Sequence, residues 1–158
     1  DAGALEFGSA AVRRLLATPE RVATEFKRRF GSPDPVLVGE LALLPEDLQA
    51  QLLRFMLDAI ERQRGAGPAD GITVCHPATW GAYKRNLLLQ AIGRVVDVPV
   101  SLISEPEAAA VWYAQKQSIV PGSLLAVYDL GGGGFDVALV RRTSDGFAFA
   151  AEPAGELA

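Results

Sequence analysis

The sequence contains a single cysteine and a single histidine among its 158 residues. One cysteine, Cys75, excludes a disulfide bond within the chain and is too few for a cysteine-based zinc site. One histidine, His76, leaves few routes to a Ser-His-Asp triad, and no Gly-x-Ser-x-Gly elbow is present. Because so little cysteine is typical of a reducing compartment, we predict a cytoplasmic protein.

A long apolar run and a strong charge of either sign are also missing. No stretch of about 18 apolar residues is present to cross a bilayer, and the N-terminal region has no signal-peptide pattern. The formal net charge is −4, without a lysine or arginine stripe. This charge disfavours nucleic acid as a partner. We therefore predict neither a membrane segment nor a nucleic-acid partner.

The chain is nevertheless apolar enough to fold. Apolar residues make up 49% of the sequence, which disfavours disorder, and the length suits one compact core or parts of two lobes. The sequence begins without methionine and ends without a helix stop. We therefore expect a piece of a longer protein.

The spacing of apolar residues predicts helices in the first half. Thr18-Pro19-Glu20 has the composition of a helix start, and Val22, Phe26 and Phe30 follow at intervals of four residues. Pro45-Glu46-Asp47 starts a longer amphipathic helix that extends to about Gln63. We predict helices over both segments, with a shorter one near Val12 to Leu16.

Strands and helices alternate from Ile72 onwards. Ile72 to Cys75 and Val100 to Ile103 are short apolar segments, separated by a helical pattern that starts near Thr79. A crossover of this length predicts two parallel strands. Another helix is predicted from Pro106 to about Gln117. Two tryptophans fit the apolar stripes of these helices and are predicted in the core: Trp80 and Trp112.

The last part of the chain predicts a three-stranded antiparallel meander. Leu124 to Leu130 and Phe135 to Arg141 are apolar strands on either side of a turn of four glycines, and Phe147 to Ala151 follows a second turn. The fold class predicted from these patterns is α/β, with a mixed sheet and helices followed by this meander.

The glycine turn is the segment most informative about function. Gly131, Gly132, Gly133 and Gly134 expose a run of backbone N–H groups that could hold a phosphate. A strand follows this turn, so it is neither a Walker A loop nor a dinucleotide fingerprint, both of which lead into a helix. A plain glycine-rich hairpin is the alternative.

Two acidic residues end strands near this turn in the sequence. Asp129 precedes the glycines and Glu105 follows the second parallel strand, so either could orient water or hydrated Mg²⁺. The alternatives are a turn-stabilising aspartate and a glutamate favoured by the helix dipole. By contrast, Cys75 and His76 are neighbours in a strand and should point to opposite faces, which excludes a nucleophile and base pair.

Three segments, in this order, resemble the DnaK-like heat-shock chaperones of the seventy-kilodalton class, which belong to the actin-like ATPase superfamily. They are Ile72 to Ala78 with Lys84-Arg85, Ser104 to Ala110, and Val127 to Asp136. The second resembles the family's Asn-Glu-Pro-Thr-Ala-Ala-Ala segment, and the third its Asp-Leu-Gly-Gly-Gly-Thr-Phe-Asp phosphate loop. The resemblance implies a ribonuclease-H-like, actin-like ATPase fragment: residues 1–117 in the first lobe, 118–123 a linker, and 124–158 the start of the second lobe.

The resemblance also implies roles for single residues. Glu105 would hold the water network of Mg²⁺, Asp129 would position the attacking water, and the four glycines would bind the phosphates of ATP or ADP. Pro77 and Arg85 would relay the nucleotide state to a polypeptide-binding domain, although Arg85 could equally be a surface residue of its helix. Client polypeptides and co-chaperones would be partners of the whole protein.

Departures from the family pattern leave alternatives open. Gly134 replaces the family's threonine, which favours slow hydrolysis or a module that binds nucleotide or protein without hydrolysis. Nothing matches the first phosphate loop or the catalytic lysine, so this segment alone should not turn over ATP. A sugar- or acetate-kinase relative is a third interpretation, against which Ser104 to Ala110 argues.

Unpaired strands suggest two structural outcomes. The meander could join the two parallel strands in one sheet, or a partner chain could pair with the open edges and cause self-association.

Overall fold

The computed structural model describes residues 5–65, 67, 69–131 and 134–156. The chain divides into two compact units, one of residues 1–70 with 86–98 and the other of residues 71–85 with 99–158. Among the described residues, no helix is both long and apolar enough to cross a membrane.

The first unit begins with little regular structure. Helix α1 (Ser9–Arg14) is short, and the predicted helix from Pro19 to Phe30 is wrong. Two 3₁₀ turns, Pro19–Arg21 and Phe26–Arg29, stand in its place, because Val22 is extended and Glu25 adopts a left-handed conformation with φ 51°. The repeat of four residues therefore produces no continuous stripe.

A small hairpin follows that the sequence analysis did not predict. Strands β1 (Val36–Val38) and β2 (Leu41–Leu43) pair in antiparallel fashion across a turn at Gly39 and Glu40. Gly39 has φ 61°, a conformation that glycine adopts at little cost. Each strand has only three residues, too few to show a clear alternation of apolar and polar side chains.

Helix α2 (Pro45–Arg64) confirms the longer predicted helix. It begins with proline and two acidic residues, where a rigid φ and negative charge are favourable. It ends at Gly65, whose φ is 62° and whose N–H donates to the carbonyl oxygen of Glu61. The buried residues of this unit lie on α2, on α3 and in the segments before α2 and after α3, and include Phe30, Leu48, Leu88 and Ile92.

The second unit contains the predicted parallel strands. Strand β3 (Ile72–His76) pairs in parallel with β4 (Val100–Ser104), and helix α3 (Ala82–Ile92) lies between them in the sequence. Helix α4 (Glu105–Ala114) begins directly after β4. In β3 the exposed Cys75 and the buried His76 confirm that these neighbours face opposite ways.

The predicted meander is also confirmed. Strand β5 (Leu124–Gly131) pairs with β6 (Gly134–Arg142), which pairs with β7 (Phe147–Phe149), all antiparallel. A fourth strand, β8 (Ala154–Glu156), was not predicted and pairs with β6 beyond the end of β7. The fold is therefore α/β, with small separate sheets and a C-terminal antiparallel sheet.

Two expectations about packing in this unit are wrong. The meander forms a sheet of its own and does not join β3 and β4. Trp80 is buried as predicted, but Trp112 is 60% exposed, and Lys116 lies 4.4 Å from the centre of its ring. Helix α4, which contacts β5, β6 and β7, instead buries Pro106 and Ala110.

Candidate functional site

The glycine turn closes the hairpin of β5 and β6. Gly131 and Gly134 form the last residue pair of the ladder, and Gly132 and Gly133 lie outside the described residues. Gly131 has no left-handed φ, and a Cβ atom there would meet only the carbonyl oxygen of Gly134, at an ordinary 3.9 Å. The fold itself therefore does not require glycine at position 131.

Asp129 lies directly opposite Asp136 in this hairpin. They are register partners two residue pairs from the turn, so both side chains emerge on the same face of the sheet. Like charges placed directly opposite each other destabilise a strand pair. At this end of the sheet, two carboxylates therefore lie near Gly131 and Gly134, whose backbone carries no side chains.

Asp136 is a residue that the sequence analysis did not single out. A hairpin centred on the four glycines of the sequence pairs Asp136 with Asp129, so the hairpin register was a signal that could have identified it. The next strand adds a contact that the register alone does not show. Gly155 of β8 pairs with Asp136, and the Asp136 carboxylate fills the space that a side chain at position 155 would need.

The aspartate pair lies on the buried face of the sheet. Ala138 and Val140 are two and four residues beyond Asp136, so they share its face, and they are 3% and 0% exposed. Asp129 itself is exposed, and Asp136 is half-buried. The face therefore changes from apolar packing to carboxylate as it approaches the glycine turn.

Glu105 occupies the first position of α4. The preceding residue, Ser104, is 3% exposed and caps the helix: its hydroxyl accepts the N–H of Glu107 at 3.3 Å. In return, the Glu107 carboxylate accepts the N–H of Ser104 at 3.3 Å and its hydroxyl at 2.5 Å. This capping box holds the backbone at Glu105, and the half-buried side chain lies at the helix start, where the dipole favours an acid.

Pro77 and Arg85 are connected through Trp80. The Arg85 guanidinium donates to the carbonyl oxygen of Trp80 at 2.8 Å, and the Trp80 N–H donates to the carbonyl oxygen of Pro77 at 3.1 Å. His76 Nδ1 lies 2.8 Å from the same Pro77 oxygen. Arg85 is thus bound to the turn between β3 and α3 and is not merely a surface residue of its helix.

Pro77 and Glu105 occupy equivalent positions at the ends of the parallel strands β3 and β4. His76 is the register partner of Ser104, so Pro77 and Glu105 each follow the last residue of their strand at the same edge of the pair. Glu105 and Asp129 lie on α4 and β5, two elements that contact each other. The predicted site residues therefore fall into two groups, one at the hairpin and one at the ends of the parallel strands.

No group of three or more His, Cys, Asp or Glu side chains in the described ranges is arranged to hold a metal ion by itself.

The chain is similar to proteins of one known family. The profile of the family described as "Hsp70 protein" matches residues 8–151. "Chaperone protein DnaK" of Metamycoplasma hominis is 31% identical over 141 residues, covering 89% of this chain and 23% of that protein. The protein of the same description from Thermotoga petrophila is 29% identical over 140 residues, covering 88% of this chain. The chain spans 23% of the length of both relatives.

Proposed function

The chain belongs to the Hsp70 protein family, and from that premise we propose that it is part of an ATP-binding domain whose slow hydrolysis is coupled to polypeptide binding. The observation that carries the proposal is the hairpin tip of β5 and β6. At this tip, Gly131 leaves the backbone without a side chain, although its conformation does not require glycine. The pair of Asp129 and Asp136 lies two residue pairs away. Bare backbone next to carboxylates suits a phosphate group with its cation.

The residues fit Mg²⁺ in part. Carboxylate oxygens are the ligands that Mg²⁺ prefers, and it usually keeps several waters while binding one or two carboxylates and substrate phosphates. Asp129 and Asp136 would supply the carboxylates, and Glu105 would hold bound water. Bound Mg²⁺ would neutralise charge on the phosphate oxygens.

The protein residues would share the remaining tasks. The backbone N–H groups of residues 131–134 would bind phosphate oxygens of ATP or ADP, and Asp129 would orient the attacking water. Pro77 and Arg85 would pass the nucleotide state to a polypeptide-binding domain, for which the hydrogen bonds through Trp80 supply a physical connection. Residues 1–117 and 124–158 would belong to two lobes joined by residues 118–123.

The activity and partners of the whole protein are part of this proposal. Client polypeptides and co-chaperones would bind outside this segment, in a cytoplasmic protein. The outer edge of β5 is open within the described residues, because β5 pairs with β6 alone. We propose that further sequence of the whole protein pairs there, and that self-association occurs when it does not.

The test compares two glycine variants of the whole protein. Gly131→Ala should lower nucleotide affinity about tenfold by placing a methyl group against the phosphate, while stability changes by less than about 0.5 kcal/mol. Gly146→Ala is the matched control, because a Cβ atom there has no neighbour within 4 Å. Calorimetric titration with ATP measures affinity, and equal affinities of the two variants would refute the phosphate role.

A second candidate function is binding of nucleotide without hydrolysis. It is favoured by Gly134, which removes a hydroxyl next to the proposed phosphate position. Single-turnover hydrolysis in the whole protein separates the two candidates. A protein that binds ATP without hydrolysing it, and that gains hydrolysis in Gly134→Thr, would be the non-hydrolysing module.

A further inference from the structure

His76 is a buried polar residue on an otherwise apolar strand face. It is 7% exposed, and the residues two and four positions before it on the same face are Val74 and Ile72. An imidazole placed in such an environment costs free energy unless its nitrogens are hydrogen-bonded. The structure shows one such bond, from Nδ1 to the carbonyl oxygen of Pro77 at 2.8 Å.

The direction of that hydrogen bond determines the tautomer. A backbone carbonyl oxygen only accepts, so Nδ1 of His76 must carry a proton. The Trp80 N–H donates to the same oxygen at 3.1 Å, so the Pro77 carbonyl accepts two hydrogen bonds. The rings of His76 and Trp80 also stack, with centroids 6.5 Å apart and planes 13° from parallel.

We propose that His76 is a positioning residue, which holds the Pro77 carbonyl through Nδ1–H and packs on Trp80, and thereby fixes the turn to which Arg85 is bound. An apolar residue could fill the same space, but it could not hold the peptide that follows Pro77. The Pro77 carbonyl oxygen would then keep the hydrogen bond from the Trp80 N–H but lose the one from His76. The consequence for signalling rests on the proposed function, whereas the tautomer and the packing do not.

The first test is nuclear magnetic resonance on the chain. His76 is the only histidine in the sequence, so its ring nitrogens are assigned without ambiguity. Long-range ¹H–¹⁵N correlation spectra should show that Nδ1 carries a proton. The opposite tautomer, or an even mixture of the two, would overturn the proposal.

The second test uses two amide variants. In His76→Asn the amide nitrogen lies the same number of bonds from Cβ as Nδ1, so it can still donate to Pro77. In His76→Gln the amide lies one bond further away and cannot reach the same position. In a Trp112→Phe background, which leaves Trp80 as the single tryptophan, the Gln variant should emit at longer wavelength than the Asn variant, because only Asn keeps the bond to Pro77. Equal emission in the two variants would overturn the proposal.

The functional consequence is measured in the whole protein as the ratio of polypeptide-stimulated to basal ATP hydrolysis. His76→Gln should lower this ratio about fivefold with basal hydrolysis unchanged, and His76→Asn should restore it. Equal loss in both variants, or no loss in either, would overturn the positioning role. If the whole protein binds no nucleotide, the proposed function fails, and the tautomer and the emission of the two variants still decide the role of His76.

Discussion

The guanidinium of Arg85 donates a hydrogen bond to the backbone carbonyl oxygen of Trp80, 2.8 Å away. This bond links the first turn of α3 to the loop after β3, and the Trp80 N–H continues the connection to Pro77. Arg85 is partly buried, and its guanidinium is hydrogen-bonded to this loop. A change at Pro77 would therefore reach Arg85 through two hydrogen bonds.

Removing the Arg85 guanidinium should destabilise the loop. We expect Arg85→Met to lower the free energy of unfolding by about 1 kcal/mol, the usual net contribution of a protein hydrogen bond. Arg62→Met is the control, because Arg62 is an exposed arginine in the last turn of α2. Urea denaturation measures both variants, and equal losses would contradict a specific contribution of the bond.

Neutralising Asp129 should stabilise the protein while impairing its chemistry. Asp129→Asn removes the repulsion from Asp136 across the hairpin and should raise the free energy of unfolding by up to about 1 kcal/mol in the absence of ligand. The same variant should slow single-turnover ATP hydrolysis in the whole protein. Glu152→Gln, an exposed acid beyond β7, serves as the charge control. Unaltered hydrolysis in Asp129→Asn would exclude the proposed role in orienting water.

A side chain at position 155 should displace the Asp136 carboxylate. A Cβ atom on Gly155 would lie 2.9 Å from Cγ of Asp136 and 3.2 Å from the carbonyl oxygen of Phe135, closer than ordinary contact allows. Gly155→Ala should therefore weaken Mg²⁺-dependent nucleotide binding and cost about 1 kcal/mol of stability. Titration with ATP at several Mg²⁺ concentrations measures the first effect. Behaviour identical to Gly146→Ala in both measurements would show that Asp136 tolerates the change.

The capping box at the start of α4 should behave as one unit. Ser104→Ala and Glu107→Ala should each lower the free energy of unfolding by about 1 kcal/mol. The double variant should lose less than the sum, because the two side chains share the same hydrogen bonds. A double-mutant cycle by denaturant unfolding measures the coupling, and strict additivity would show that the two residues act independently.

The ion pair of Glu6 and Arg14 should make the free energy of unfolding depend slightly on pH in the acidic range. Its oxygens and nitrogens lie 2.6 and 2.9 Å apart, and the hydrogen bond from Arg14 holds the pKa of Glu6 below its ordinary value of 4.5. Because the folded-state pKa is lowered, the stabilisation is present above the unfolded pKa and is lost as the pH falls through the folded one. Carboxyl chemical shifts should show a Glu6 midpoint below 4.5, and Arg14→Gln should return it towards that value.

Helices and strands with local signals could be predicted from the sequence. Helix α2 has proline and acids at its start and Gly65 at its end, all within its own segment, and the parallel strands and the meander show clear apolar runs. The segment from Pro19 to Phe30 has similar signals, but the left-handed Glu25 interrupts it. Apolar spacing alone carries no information about that backbone conformation.

Which face of a helix is buried was harder to predict. Helix α4 is apolar almost all round, so its sequence allowed Trp112 to be placed inside. The structure buries Pro106 and Ala110 and leaves Trp112 exposed. This orientation depends on the contacts of α4 with β5, β6 and β7. Those strands follow α4 in the chain, so no pattern within the helix itself specifies which face is buried.

By itself, the sequence determined the helix and strand segments around the site, the glycine turn with its preceding Asp129, and the resemblance that led to the family. Only the tertiary structure decided that Gly155 of β8 leaves room for the Asp136 carboxylate and that Arg85 is bound to Trp80. The physical reason is that local conformation depends on neighbouring residues. Strand register and side-chain contacts instead join residues distant in the chain, and packing selects their partners.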